Sequence, residues 1–297
     1  MAAAAAAVSL VIYFDEPEGR KLLSDVQDGL GCYQPILHSI FSQQTTRAGC
    51  GIQSCALLLS ANAIGCHITS SRHHRHNDTF AQSPVPSKRQ KKDSTDKSGR
   101  AKTYSPGQAL VLEQSSKQTS RAERDDLSDL VARAGYVSDS SVFNLPYTEV
   151  GLYSMPQTLT VTSREWVASH GLTLPEVAGI LRAHGCTVWT VHSSSATVSQ
   201  FRRDLIDVLA SAYSCSGMIL NFHRGPLSVG ETKARKSHHS PVVAYHKASD
   251  KLLVLDTAAP IERHFWTSVD AMFAAMLTID HVSGISRGYC FFIKSPT

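Results

Sequence analysis

No part of this 297-residue chain comes near eighteen uninterrupted apolar residues, so a membrane-spanning helix is not expected. The most apolar start, Ala2 to Ile12, is alanine-rich, lacks a basic leading segment and runs straight into Asp15-Glu16-Pro17-Glu18, which argues against a secretory leader. No CxxC pair occurs. The seven cysteines (Cys32, Cys50, Cys55, Cys66, Cys186, Cys215 and Cys290) are scattered, with one pair closer than ten residues. Such a set supplies neither a disulfide framework nor a zinc ligand set, and reads as reduced thiols in a cytoplasmic setting. Eighteen glycines are too few for collagen, while 42% apolar residues are ample for a core.

The formal net charge of +4 is unevenly spread. His67 to Asp126, 60 residues, holds 12 Lys and Arg against 7 Asp and Glu, with Phe80 and Tyr104 its only aromatics. The remaining 237 residues carry 17 against 18, so the basic balance does not point to a nucleic-acid-binding fold. The segment is too polar to offset its chain entropy and is expected to be a disordered insertion. Within it, His73, His74 and His76 lack a rigid tetrahedral cage, and the Lys88 to Lys92 run reads as solvated charge rather than an import or anion-binding patch.

Outside the insertion, helices are expected over Arg20 to Leu30 and Tyr33 to Phe41. Another is expected over Gly51 to Ile64, with apolar positions 52, 55, 58, 59 and 63 on one face and Cys50 at its start. Thr173-Leu-Pro-Glu176 has the form of a capping box and Gly185 that of a stop, predicting a helix over 174–184. Strands follow at Thr187 to His192 and Met218 to Phe222, around a helix at Phe201 to Ala212. Pro241 to His246 and Lys251 to Leu255 read as a hairpin across Lys247-Ala-Ser-Asp250. A helix at Ser268 to Leu277 and a strand at Gly288 to Lys294 complete an α+β pattern, helices first and an antiparallel sheet after.

A thiol becomes nucleophilic when a cation or helix N-terminus lowers its pKa from about 8.5 into the range of about 3.5 to 7.5. Cys50 has the helix, and Gly49 and Gly51 leave room beside it. Cys55 and Cys66 fall inside or beyond the helix and read as packing residues. Folding the hairpin about Lys247 sets His238 opposite Asp256, a base and its orienter, and His239 opposite Leu255. A register slip of one or two residues would alter that choice. The Cys50 N–H and a side-chain amide upstream, Gln44 or Gln43, could serve as oxyanion donors.

Phe41-Ser-Gln-Gln44 followed by Cys50-Gly51, then His238-His-Ser-Pro241, then Leu255-Asp256 eighteen residues past the histidine, resembles the catalytic domain of phytochelatin synthases, papain-like cysteine transpeptidases acting on glutathione. The likeness extends through Glu18-Gly-Arg20, Gly171-Leu-Thr-Leu174, Asn221-Phe-His-Arg224, Trp266, Ala271-Met272 and Ser286-Arg-Gly-Tyr289.

It implies one papain-like catalytic domain formed by residues 1–66 and 127–297, interrupted at 67–126. It also implies that Cys50 takes the γ-glutamylcysteinyl group of glutathione as a thioester, with His238 as acid and base, Asp256 its orienter and Gln44 on the oxyanion. The acyl group would pass to a second glutathione, lengthening the peptide in a heavy-metal detoxification reaction, or to water. Cadmium or zinc would enter as a glutathione thiolate complex, hence as substrate, with no metal site on the protein. Neither nucleic acid nor membrane is an implied partner.

The family continues after the aspartate with Val-Ala-Arg and then a tyrosine, whereas this chain has Asp256-Thr-Ala-Ala259 and Glu262. Arg263, and Lys236 in the run Lys233-Ala-Arg-Lys236, are the cations left to meet an anionic substrate. The alternatives are a peptidase that removes glycine from glutathione S-conjugates, and an inactive scaffold that binds thiols or a protein partner.

Overall fold

The computed structural model describes residues 10–78, 145–210, 216–227, 237–258 and 263–293. Eight strands form one sheet whose pairs are all antiparallel: β1 (Val11–Tyr13), β2 (Gly31–Tyr33), β3 (Val188–His192), β4 (Ser216–His223), β5 (Ser237–His246), β6 (Lys251–Val254), β7 (Phe265–Ser268) and β8 (Gly288–Ile293). The order across it is β1-β7-β6-β5-β4-β8-β3, with β2 added against β5. The α+β class expected from the pattern is present. The N-terminal part is less purely helical than its sequence suggests, because the three-residue strands β1 and β2 are too short to show an alternation.

Alternate residues of β4 feed two cores. Ile219 packs with the long helix Cys50–Asp78 and the capped helix Leu174–Ala183, whereas Met218, Leu220 and Phe222 pack with the helices Val198–Leu209 and Val269–Met276 on the other face. The capping box at Thr173 and Glu176 is formed, and Gly185 closes the turn beyond the helix with φ of +85°.

The Cys50 helix departs from the expected one-sided pattern. Every residue from Gly51 to Ser60 is buried, so it is a central helix enclosed on all sides. Its buried polar groups are bonded: Gln53 Nε2 donates to Ser42 O at 2.7 Å, Ser54 Oγ to His239 O at 3.3 Å and Ser60 Oγ to Tyr147 O at 2.9 Å. With no glycine or proline between Cys66 and Asp78 to stop it, the helical backbone runs on to Asp78, into the segment expected to be disordered. The rest of that segment lies outside the described residues.

Cys66 is disulfide-bonded, which corrects the expectation of reduced thiols throughout, since spacing along a chain does not show which sulfurs meet in space. Cys32, Cys50, Cys55 and Cys290 are free thiols. Among the described residues no helix is long and apolar enough to cross a membrane.

Candidate active site

The central helix starts where a turn ends. Gly49 N–H donates to Thr46 O at 3.1 Å, and Gly49 O receives Gln53 N–H at 2.8 Å. Cys50, first residue of the helix and half-buried, therefore keeps a backbone N–H with no acceptor inside the helix, at the positive end of the helix dipole. The flanking glycines serve close packing rather than open space. A Cβ on Gly49 would lie 2.0 Å from Glu149 Oε1, and one on Gly51 2.9 Å from Leu172 Cδ1.

The second half of the site comes from β5, β6 and the end of β4. The hairpin closes with His246 opposite Lys251, and pairing shifts by one residue between Val242 and Ala244, so the register differs from a simple fold about Lys247. Asp256 lies beyond the last ladder pair, yet its Oδ1 is 2.8 Å from His238 Nε2. The expected partnership forms through the side chains, although the strand positions are not the ones expected. Phe222 stands edge-on to the His238 ring with centroids 5.7 Å apart. Arg224, just past β4, places Nη2 at 2.5 and 2.6 Å from the two Asp256 oxygens, and Ala258 N–H adds a bond at 2.9 Å.

Burial and charge act against each other here. For Asp256, completely buried, desolvation would raise the carboxyl, but the His238 and Arg224 charges and the Ala258 N–H bring it down to about 2. Burial likewise disfavours a charged His238, yet Asp256 and Cys50 carry it up to about 9. Burial would raise the Cys50 thiol, but His238 and then His239 outweigh it and hold the thiol well below its ordinary value. Without imidazoles the same burial does the opposite, raising Cys55 far above a normal thiol and Cys290 to about 12. Both shifts run in the direction that favours a thiolate on Cys50 beside an imidazolium on His238.

His239 also reaches this sulfur, with Nδ1 3.9 Å from Cys50 Sγ. Gln44 is close to the site but differently engaged than expected. Its backbone N–H donates to Thr257 O at 2.7 Å, tying the loop to the residue after Asp256, while Nε2 donates to Thr46 O at 2.8 Å and Arg47 O at 3.3 Å. Arg263 is taken up elsewhere: it pairs with Asp15, Nε to Oδ1 at 2.7 Å, and lies 4.1 Å over the Tyr13 ring. The expectation of a guanidinium held ready for an anionic substrate is corrected by this partner, which 248 residues of separation hide in the sequence. Lys236, Ala259 and Glu262 lie outside the described residues.

Two groups escaped the sequence reading. Arg224 stands within the quoted Asn221-Phe-His-Arg224, but nothing in that string says that it clamps a carboxylate 32 residues away. Glu149 carries no signal, since an acid in the first turn after the Thr148 cap is ordinary. Yet its buried carboxylate accepts from the backbone N–H and hydroxyl groups of both Thr45 and Thr46, fixing the loop between Gln44 and Cys50. Among the described residues no group of three His, Cys, Asp or Glu side chains could hold a metal ion.

Residues 143–289, which include Arg224, His238 and Asp256 but not Cys50 or Gln44, match the family model described as phytochelatin synthase. Glutathione gamma-glutamylcysteinyltransferase 3 of Lotus japonicus is 31% identical over 130 residues, 44% of this chain and 26% of the relative. Residues 143–289 belong to the phytochelatin synthase family. The glutathione gamma-glutamylcysteinyltransferase of Schizosaccharomyces pombe is 29% identical over 123 residues, 41% of this chain and 28% of its own length. Glutathione gamma-glutamylcysteinyltransferase 1 of Triticum aestivum is similar at 29% over 123 residues, 23% of its length. The chain thus spans about a quarter of the length of these family relatives in the matched region.

Proposed function

We propose that this protein is a cysteine-dependent γ-glutamylcysteinyltransferase acting on glutathione, with Cys50 as nucleophile, His238 as acid and base, and Asp256 as orienter. The observation that carries the reading is the convergence of Cys50, His238 and Asp256, from a helix start and a hairpin mouth nearly two hundred residues apart, into one charge-coupled site. A thiol-bearing helix start facing a sheet that supplies imidazole and carboxylate also supports a papain-like reading of the fold.

In the proposed reaction the Cys50 thiolate adds to the carbonyl of the Cys–Gly peptide bond. The oxyanion is met by the Cys50 N–H. Gln44 can join it by exchanging its 3.3 Å bond to Arg47 O for one to the substrate. As the tetrahedral species collapses, the C–N bond breaks, His238 gives its proton to the leaving glycine amine, and a thioester remains. Neutral His238 then takes a proton from the amine of a second glutathione or from water as that nitrogen or oxygen bonds to the thioester carbonyl carbon, and the carbon–sulfur bond breaks to restore the thiolate. Asp256, fixed by Arg224, holds the imidazole so that Nδ1 is left for the sulfur. Cadmium or zinc enters as a metal–glutathione thiolate, a substrate of the second step.

The test is incubation with glutathione, with and without cadmium, followed by mass spectrometry of protein and products. A γ-glutamylcysteinyl adduct on Cys50, absent from Cys50→Ala, is expected. Longer peptides identify transfer, and free glycine without them identifies hydrolysis. Unmodified protein together with unchanged glutathione under both conditions would remove the assignment.

A further inference from the structure

The site holds one more imidazole than the proposed reaction uses. His239 is 2% exposed, its Nδ1 is 3.9 Å from Cys50 Sγ, and its Nε2 is buried with no hydrogen-bond partner. Directly across the sheet, β4 pairs Asn221 with His239, so both side chains emerge on one face. Asn221 is 1% exposed, and its Oδ1 is likewise buried without a partner. The two atoms are not bonded to each other in this arrangement, but a buried donor and a buried acceptor on adjacent strands, each costly while unsatisfied, become complementary once a side-chain rotation brings them together. His238 already has Asp256 on its Nε2.

We propose that His239, oriented by Asn221, is a second catalytic imidazole serving the Cys50 sulfur, so that one nucleophile is flanked by a His–Asp pair and a His–Asn pair. The inference deepens the cysteine-nucleophile reading above and rests on it. The step is a proton transfer: Cys50 S–H breaks, its proton passes to His239 Nδ1, and the Nε2–H of the resulting imidazolium is held by Asn221 Oδ1. The neutral tautomer that accepts the proton carries its hydrogen on Nε2, which is the form an amide oxygen at Asn221 selects. The step applies before acylation, in molecules whose Cys50 still carries its proton because His238 has not taken it, and His239 then supplies the thiolate in its place.

Alkylation of Cys50 by iodoacetamide as a function of pH, followed by peptide mass mapping, tests this without any need for glutathione turnover. In wild type, Cys50 should react with a titration well below a free thiol's value of about 8.5. In His238→Gln the low titration should persist in part. Adding His239→Gln should lower the rate at pH 6.5 by a further tenfold or more, the loss expected when an apparent pKa rises by about one unit or more toward a free thiol. His238→Gln with Asn221→Ala should follow the double imidazole variant. His239→Phe, which keeps a flat ring of similar size, provides a second route if the glutamine variant fails to fold, judged by circular dichroism.

If His238→Gln alone already titrates like a free thiol and the His239 variants add nothing, His239 is a packing residue and the proposal is overturned. If wild-type Cys50 itself reacts no faster than Cys32, the cysteine-nucleophile reading fails instead.

Discussion

Replacing Asp256 by asparagine keeps the side chain's shape and removes its charge, which makes the consequences calculable. Asp256 is completely buried and is held by His238 Nε2 at 2.8 Å, Arg224 Nη2 at 2.5 and 2.6 Å and Ala258 N–H at 2.9 Å. Moving His238 from 6.5 to about 9 corresponds to roughly 3 kcal/mol in favour of its charged form, at about 1.4 kcal/mol per pH unit. Asp256 is the largest favourable contributor, ahead of Cys50, and it acts against burial.

Asparagine also leaves the Arg224 guanidinium facing a neutral amide. Breaking a buried charge pair in this way costs about 3 to 5 kcal/mol. Urea unfolding at pH 7 should therefore show Asp256→Asn less stable by about 3 kcal/mol or more. Iodoacetamide alkylation should show the Cys50 titration moved up towards a normal thiol, because a buried His238 without its carboxylate no longer holds a proton at neutral pH. A stability loss under about 1 kcal/mol, with an unchanged alkylation profile, would show that the Asp256 charge does not set the state of this site.

Three further outcomes follow from the same contacts. The raised His238 contributes stability that is full below about 6.5 and lost as pH rises through about 9, while the lowered Cys50 contributes stability that is lost as pH falls. Between about 6.5 and 9 each folded molecule carries one proton on this pair, as does each unfolded one, so the pair should leave wild-type stability flat there, whereas Cys50→Ala should lose stability on going up through that window in urea titrations. Glu149→Gln removes the charge that four donors of Thr45 and Thr46 share, and should cost about 2 kcal/mol and lower kcat more than it raises KM; equal kcat in the two proteins would dissociate the loop from the chemistry. Leu57→Ala, at a fully buried position of the central helix, should lower stability by about 2 to 5 kcal/mol, read from the denaturant midpoint, without moving the alkylation profile.

Much of the fold was legible because its signals are local. The Thr173 capping box, the stop at Gly185 and the turn at Lys247 to Asp250 each depend on a few neighbouring residues, and each formed. The central helix was recognised as a helix but misread as one-sided. Its buried serines and glutamine satisfy their polar groups on Ser42, Tyr147 and His239, which no periodicity can disclose.

At the site, spacing brought out Cys50, His238 and Asp256, since a nucleophile at a helix start and a base at a hairpin mouth are patterns in one dimension. The residues that hold them in place were not legible. Arg224 on Asp256, Glu149 on the Thr45–Thr46 loop and Arg263 on Asp15 are pairings between distant segments, and the bulge in β5 moves the register by a residue that no alternation records.

The distance along the chain between the helix start and the hairpin has a consequence for how the molecule is made. Until β5 and β6 close and deliver both imidazoles, the sulfur at position 50 has only a solvated helix end beside it and the sluggishness of any free cysteine. During synthesis the thiol is therefore harmless, gaining its chemistry in the same event that completes the sheet. A brief pulse of alkylating reagent at mildly acidic pH would accordingly label finished molecules and spare unfinished ones, turning the nucleophile into a count of how many copies have folded.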